Sequence, residues 1–266
     1  MIIGQKNFIT MIECLVDAEM YPRFSLLVGP KGSGKKKLTQ YICQLQSEKT
    51  VYWLEDCKVD TIRDMILDAY KLRSPTIYVI SDADKMSLAA KNALLKVTEE
   101  PPNRAMFIMT LEDEHNTLNT IRSRATIFQM DRYTPEELTE YVKSEYQDDA
   151  DTDLYGELCD TPGEVDMLYS YGVDDFYNYV ALVVDNVADV TIANAFKISE
   201  KLAIKEDSEK YDLKLFWKAF MQECIDRNKP KWVLITSQCI RDLAVNGINK
   251  QMLFDKWVMM LRRNNG

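Results

Sequence analysis

The residues with the clearest chemical reading are Gly29-Pro30-Lys31-Gly32-Ser33-Gly34-Lys35-Lys36. They satisfy G-x-x-x-x-G-K, a spacing in which glycine-permitted turns aim backbone N–H groups and a helix N-terminus at phosphate while the lysine reaches the terminal phosphates. In a hydrolytic loop the next residue is Ser or Thr, whose hydroxyl ligates magnesium. Here it is Lys36, which cannot ligate a cation and places a second positive charge beside the metal position. The loop therefore suits phosphate better than magnesium. A second chemical segment, Ser81-Asp82-Ala83-Asp84, follows the apolar run Ile77-Tyr78-Val79-Ile80, where a hydrolytic enzyme of this type needs an aspartate to hold the metal shell.

Other chemistries have little to stand on. The single histidine, His115, excludes His-rich metal sites and argues against a Ser/His or Cys/His nucleophile; its expected place is an exposed loop. The six cysteines, Cys14, Cys43, Cys57, Cys159, Cys224 and Cys239, are scattered without a C-x-x-C pair and read as reduced thiols rather than zinc ligands or a disulfide framework. Residues 147–153 are acidic but lack the Gly and terminal Glu of an EF-hand loop, so they read as a solvated loop. The net charge is −9, yet from Tyr141 to Val190 thirteen carboxylates face one lysine, which leaves +3 for the rest. That middle segment will not hold nucleic acid, and tight independent DNA binding is not expected. No apolar run approaches the roughly 20 residues needed to span a bilayer, and the N-terminus carries no secretory pattern, so a cytoplasmic protein with no membrane partner is expected.

The elements that must position these residues alternate. Helical spacing of Phe8, Ile12, Leu15 and Val16 gives way at Tyr21-Pro22 to a short buried strand, Phe24–Val28, which runs into the glycine loop and then a helix through Leu38–Cys43. Strands are expected at 51–54, 76–80, 105–110 and 125–128, with a helix bearing Ile62, Met65, Ile66 and Ala69. A further helix over 89–96 is capped by Ser87 and stopped by Pro101-Pro102. This order implies a parallel sheet covered on both faces. After residue 131 the strands cease: Thr134-Pro135-Glu136-Glu137 has the form of a capping box, Thr161-Pro162-Gly163-Glu164 repeats it, and apolar stripes at 176–187, 192–202 and 213–224 precede helices near 231–245 and 250–262. The expected fold is an α/β P-loop domain over 1–131, a small helical lid over 132–173 and an all-α C-terminal domain over 174–266.

Beyond the glycine loop, Ile80–Met86 continuing to Asn92-Ala93-Leu94-Leu95-Lys96-Val97-Thr98-Glu99-Glu100-Pro101-Pro102 resembles the AAA+ sliding-clamp-loader family of DNA polymerases. Thr120-Ile121-Arg122-Ser123-Arg124-Ala125 resembles the family's T-I-x-S-R-C motif, with Ala125 in place of the cysteine. The resemblance spans roughly residues 1–170; the helical tail agrees with the family's collar in class and length. It implies that Ser81 replaces the metal-binding aspartate, that Asp82 replaces the activating glutamate, and that Thr110 is sensor 1. It also implies that Arg124 is an arginine finger serving the neighbouring subunit. Gly163-Glu164-Val165-Asp166 falls where active members carry a sensor-2 arginine and offers an aspartate instead. Own-site elements are thus lost while the trans-acting one is kept, as in the delta-prime position of the bacterial loader, and the zinc module of bacterial relatives is absent, so phage or divergent bacterial origin stays open.

The resemblance further implies other loader subunits, the sliding clamp and primed DNA as partners, with collar helices for oligomerisation. Lys85, Lys91 and Lys96 lie on the face that would meet DNA phosphate without sequence preference, equally readable as a solvated face. Met86, Leu88 and Leu94 are readable as core or as clamp contacts. No cofactor is certain: Gly29, Gly32, Gly34, Lys35 and Lys36 can take ATP or ADP, without tightly held magnesium. Two other readings remain open, an active AAA+ ATPase using Lys35 and Asp82, and an interaction protein with no loader role.

Overall fold

Three short sequences, Phe24–Val28, Thr76–Ile80 and Ala105–Leu111, are apolar along nearly their whole length, which suits strands buried on both faces. The computed structural model describes residues 3–54, 56–147, 152–187, 198, 201–202, 211–243 and 247–264. In it these sequences form β1, β3 and β4 and are buried at every position. With β2 (Thr50–Trp53) and β5 (Thr126–Gln129) they make a five-stranded sheet of order β2-β3-β4-β1-β5, and every pairing is parallel. The notable register pairs are Val28↔Leu111 and Ile80↔Met109, which bring the C-terminal ends of β1, β3 and β4 to one edge. Loops that leave this edge are the ones that can share a site.

Alternation divides the sheet into two cores, as expected. One face carries Leu26, Ile80, Phe107 and Met109, and the other Leu27, Ile77, Val79, Ile108 and Phe128. On the first face an aromatic ladder crosses four strands, with Tyr52, Tyr78, Phe107 and Phe24 at successive centroid separations of 5.8, 5.6 and 5.8 Å. The ladder ends in solvent at Tyr52, on the edge strand. The second face is covered by α1 (Lys6–Asp17), through Phe8 and Ile12, and by α2 (Lys35–Leu45), through Leu38 and Ile42. The first is covered by α3 (Val59–Ala69), α4 (Leu88–Ala93) and α5 (Leu95–Glu99). Sequence spacing suggests one helix over 89–96, but at Leu94 the backbone N–H reaches Lys91 O, a tighter i→i+3 bond, and the helix restarts as α5. Ser87 caps α4 as expected, accepting from Ala90 N. Met86 and Leu94 belong to the core, whereas Leu88 is exposed. His115 is exposed in a 3-10 turn, and all six cysteines are free.

Next come α6 (Asn119–Arg122), β5 and α7 (Pro135–Tyr146), the last opened by a complete capping box: Glu137 N donates to Thr134 Oγ1 and Thr134 N to Glu137 Oε2. By contact the chain divides into two units, Met1–Gln147 with Asp160–Gly163, and Asp148–Cys159 with Glu164–Gly266. The second unit holds α8 (Thr152–Leu158), most of α9 (Pro162–Tyr171), then α10 (Val173–Asn186), α11 (Leu213–Asp226), α12 (Pro230–Leu243) and α13 (Lys250–Arg263). The acidic stretch is in part outside the described residues, and its last two members open α8. The apolar stripe at 192–202 is outside the described residues except for Ile198, Lys201 and Leu202; those at 176–187 and 213–224 face the core of this unit. Phe216, Trp217, Phe220, Phe254 and Trp257 are fully buried there, and Trp257 Nε1 donates to Thr236 Oγ1 at 2.9 Å. Glu164 takes ammonium groups from Lys214 and Lys218 at 2.8 and 2.9 Å. Among the described residues no helix is long and apolar enough to cross a membrane.

The ladder gives a direct stability prediction. Phe107→Ala, at its buried centre, should cost about 3–5 kcal/mol in urea unfolding, whereas Tyr52→Ala at the exposed end should cost less than about 1 kcal/mol.

The glycine loop and a half-exposed arginine

β1 ends at Gly29, and the loop turns into α2 through Gly32 and Gly34, at φ +79° and +85°. Non-glycine residues rarely adopt that region, so the two glycines are what let the chain double back. Gly34 is the helix's N-cap and has no side chain, so no side-chain cap covers the first-turn N–H groups of α2. Lys35 lies at the helix start, 8% exposed, with Nζ donating to Gly29 O at 2.6 Å and Pro30 O at 2.9 Å. Burial lowers its pKa, and the carboxylates of Glu112, Asp84 and Asp82 partly oppose that. Lys36 is exposed.

The adjoining strand ends carry Ser81, Asp82 and Thr110. Ser81 follows β3, and Asp82 has a left-handed backbone at φ +51°. Asp82 N donates to Thr110 Oγ1 at 3.0 Å, so the strand-end hydroxyl of β4 steadies the turn that follows β3. The Asp82 carboxylate is taken by Lys85 Nζ at 2.9 Å. Asp84 accepts from Glu112 N at 2.8 Å and from Asn116 Nδ2 at 2.9 Å, which ties the loop after β4 to the turn after β3. Magnesium does not fit these donors: an ammonium stands at 36, a hydroxyl at 81, and both nearby aspartates are already engaged. Among the described residues no cluster of three or more His, Cys, Asp or Glu could hold a metal ion.

Arg124 lies just past α6. Its Nη1 donates to Thr120 O at 2.9 Å and its Nη2 meets Glu99 Oε1 at 3.0 Å, with 37% of the side chain exposed. Arg122 of the same motif is structural: it donates to Asn119 Oδ1, lies 3.0 Å from His115 Nδ1 and pairs with Glu114. The three lysines do not share one free patch. Lys85 pairs with Asp82, Lys91 donates to Asn116 O, and Lys96 lies over the Tyr70 ring, 5.3 Å from its centroid.

Several residues of this region carry no short-range sequence signal. Gln5 clamps the backbone of Asp131 from both sides, accepting from its N at 2.9 Å and donating to its O at 2.7 Å. Tyr133 donates to Ser33 O at 2.9 Å, and its phenol, pushed up to about 12 by burial, keeps that proton. Gly163 N donates to Gly32 O at 3.0 Å, and Glu99 partners the exposed arginine. All four act across long sequence separations, which local spacing does not encode.

Two substitutions test this geometry. Thr110→Val strands the Asp82 N–H and should destabilise the protein by about 1–3 kcal/mol. For Lys35 the sign follows from the lowered pKa. The folded protein releases that proton at a lower pH than the unfolded chain, so between the two values the unfolded state binds more protons and stability rises with pH. Measured by urea unfolding, wild type should therefore gain stability relative to Lys35→Met as pH climbs toward the ordinary lysine range, whereas a flat difference would contradict the burial argument.

A family model described as DNA polymerase III, delta subunit matches residues 42–134. The gamma subunit of DNA polymerase III from Buchnera aphidicola subsp. Schizaphis graminum is 33% identical over 89 residues, 32% of this chain and 24% of that protein. The Bacillus subtilis tau subunit is 25% identical over 163 residues, 50% of this chain and 29% of its own. Replication factor C subunit 3 of Saccharomyces cerevisiae is 26% identical over 145 residues, 48% of this chain and 41% of that one. The chain thus spans about a quarter to a half of the length of the curated relatives it matches. Among solved structures, the Thermotoga maritima RuvB Holliday junction branch migration motor aligns with 96% of this chain and 82% of its own. Its TM-score is 0.51 at 17% identity, a likeness of fold alone. With a parallel sheet flanked by helices and a glycine loop after β1, the N-terminal region of the chain is similar to these DNA polymerase III and replication factor C subunits.

Proposed function

We propose that this chain is a delta-prime-like subunit of a sliding-clamp loader, silent at its own nucleotide site and supplying Arg124 to the nucleotide bound by a neighbouring subunit. The observation that carries the reading is a contrast. Lys36 and Ser81 occupy the positions where magnesium ligands would stand, while Arg124 is intact, half-exposed and anchored by only one carbonyl and one carboxylate. A guanidinium so placed can exchange an exposed carboxylate for a phosphate at small cost, because such surface pairs contribute about 0–1 kcal/mol. Its planar fork then matches phosphate oxygens, and charge developing on a transferred phosphoryl group is what an arginine of this kind stabilises.

On this reading residues 1–131 and the lid, residues 132–173, act as a rigid AAA+ wedge, and residues 174–266 as the collar that joins it to other loader subunits. The clamp and primed DNA are the further partners, and Lys85, Lys91 and Lys96 are the candidates for phosphate contact. Each of those lysines would first have to leave its intrachain partner, so the DNA contacts would be weak and would fade steeply with salt.

The test is DNA-stimulated ATP turnover of the loader assembled with its partner subunits. Arg124→Ala should lower turnover by about 10³-fold, while Lys35→Ala should leave it within about twofold, since no barrier step would pass through this chain's loop. The reverse ranking would make the loop a working ATPase site and would remove the delta-prime assignment.

A further inference from the structure

The segment Asp160–Gly163 is grouped by its contacts with the first unit, and its partner there is the phosphate loop itself. Pro162 opens α9 and has no N–H to offer, so Gly163 carries one of the helix's unpaired N-terminal donors. That donor is spent on Gly32 O at 3.0 Å. The approach leaves no room for side chains: a Cβ at Gly163 would lie 2.6 Å from Gly32 Cα, and one at Gly32 would lie 2.9 Å from Thr161 Oγ1 and 3.0 Å from Gly163 Cα. Gly163 has no positive φ, so space alone excludes a side chain there, whereas Gly32 is also constrained by its backbone.

The rest of the loop is held in the same way. Carbonyls of Gly29 and Pro30 accept from Lys35 Nζ, and the carbonyl of Ser33 accepts from Tyr133 OH. Ser33 itself is 1% exposed, its Oγ directed to Met130 Sδ at 3.4 Å. Four of the loop's carbonyls, at 29, 30, 32 and 33, therefore have donors from this chain, drawn from the loop's own helix, from residue 133 and from residue 163.

We propose that the Gly32–Gly163 backbone contact is a latch that holds the phosphate loop and residues 160–163 in one fixed conformation, in place of the ordering that a bound nucleotide gives to a working loop. The latch needs glycine at both positions and needs no ligand. It goes beyond loss of the magnesium ligands, because restoring those ligands by Lys36→Thr and Ser81→Asp leaves it in place.

Amide hydrogen exchange of the full chain, read by NMR at Gly163 and across residues 29–34, tests this. In wild type without nucleotide, the Gly163 amide is protected, and ADP or ATP with or without magnesium leaves its exchange unchanged. Gly163→Ala loses that contact, so exchange across residues 29–34 quickens by roughly fivefold to tenfold, the equivalent of one hydrogen bond, while amides of β3 and β4 stay protected and show that the sheet is folded. Two results overturn the proposal: a Gly163 amide that exchanges freely in wild type and becomes protected only when nucleotide is added, or unchanged exchange across the loop in Gly163→Ala. Should Gly163→Ala fail to fold, the wild-type comparison with and without nucleotide decides alone.

Discussion

Strand β4 is the constraint on which the rest of the first unit depends. It is the longest strand of the sheet, buried at all seven positions, and it pairs on one side with β1 and on the other with β3. Because parallel pairing fixes register, the C-terminal ends of β1, β3 and β4 must emerge together, and with them the glycine loop, Ser81-Asp82 and Thr110. The hydrogen bond from Asp82 N to Thr110 Oγ1 is the local expression of that register. A slip of one residue would put the Thr110 hydroxyl on the opposite face and leave the turn after β3 unsupported.

On this frame the glycine loop and Arg124 are differently built. Around the loop, polar groups are satisfied within the chain: Lys35 on two carbonyls, Tyr133 and Gly163 on two more, and Asp82 and Asp84 on an ammonium and on amide donors. A metal at this site would have to displace partners to gain any. Arg124 is the opposite case, half in solvent, with an exchangeable partner in Glu99. The chemistry proposed for this chain follows from that asymmetry, one site closed on itself and one cation left where another molecule can reach it.

Much of this was legible in the sequence where the signal is local. The runs Phe24–Val28 and Thr76–Ile80 are bounded by Pro or Gly and appear as strands with those bounds, and Thr134-Pro135-Glu136-Glu137 forms the capping box its pattern announces. Local spacing failed at Leu94, where an apolar helix face continues but the hydrogen bonding tightens, because periodicity reports the face and not the ladder. The contacts that define the site were not legible. Gln5 with Asp131, Ser33 with Tyr133 and Gly32 with Gly163 join residues a hundred or more positions apart, and glycine at 163 reads from sequence as part of a helix start rather than as the space it leaves for another backbone. The position of Arg124 was legible as a motif, while its hold on Glu99 was not.

The most direct measurement is a structure of the assembled loader trapped with a non-hydrolysable triphosphate. The account predicts the Arg124 guanidinium within about 3 Å of a phosphate oxygen held by the adjacent subunit, with Lys35 still bound to the carbonyls of Gly29 and Pro30. Triphosphate and magnesium seated in residues 29–36, with Arg124 remaining on Glu99, would contradict it.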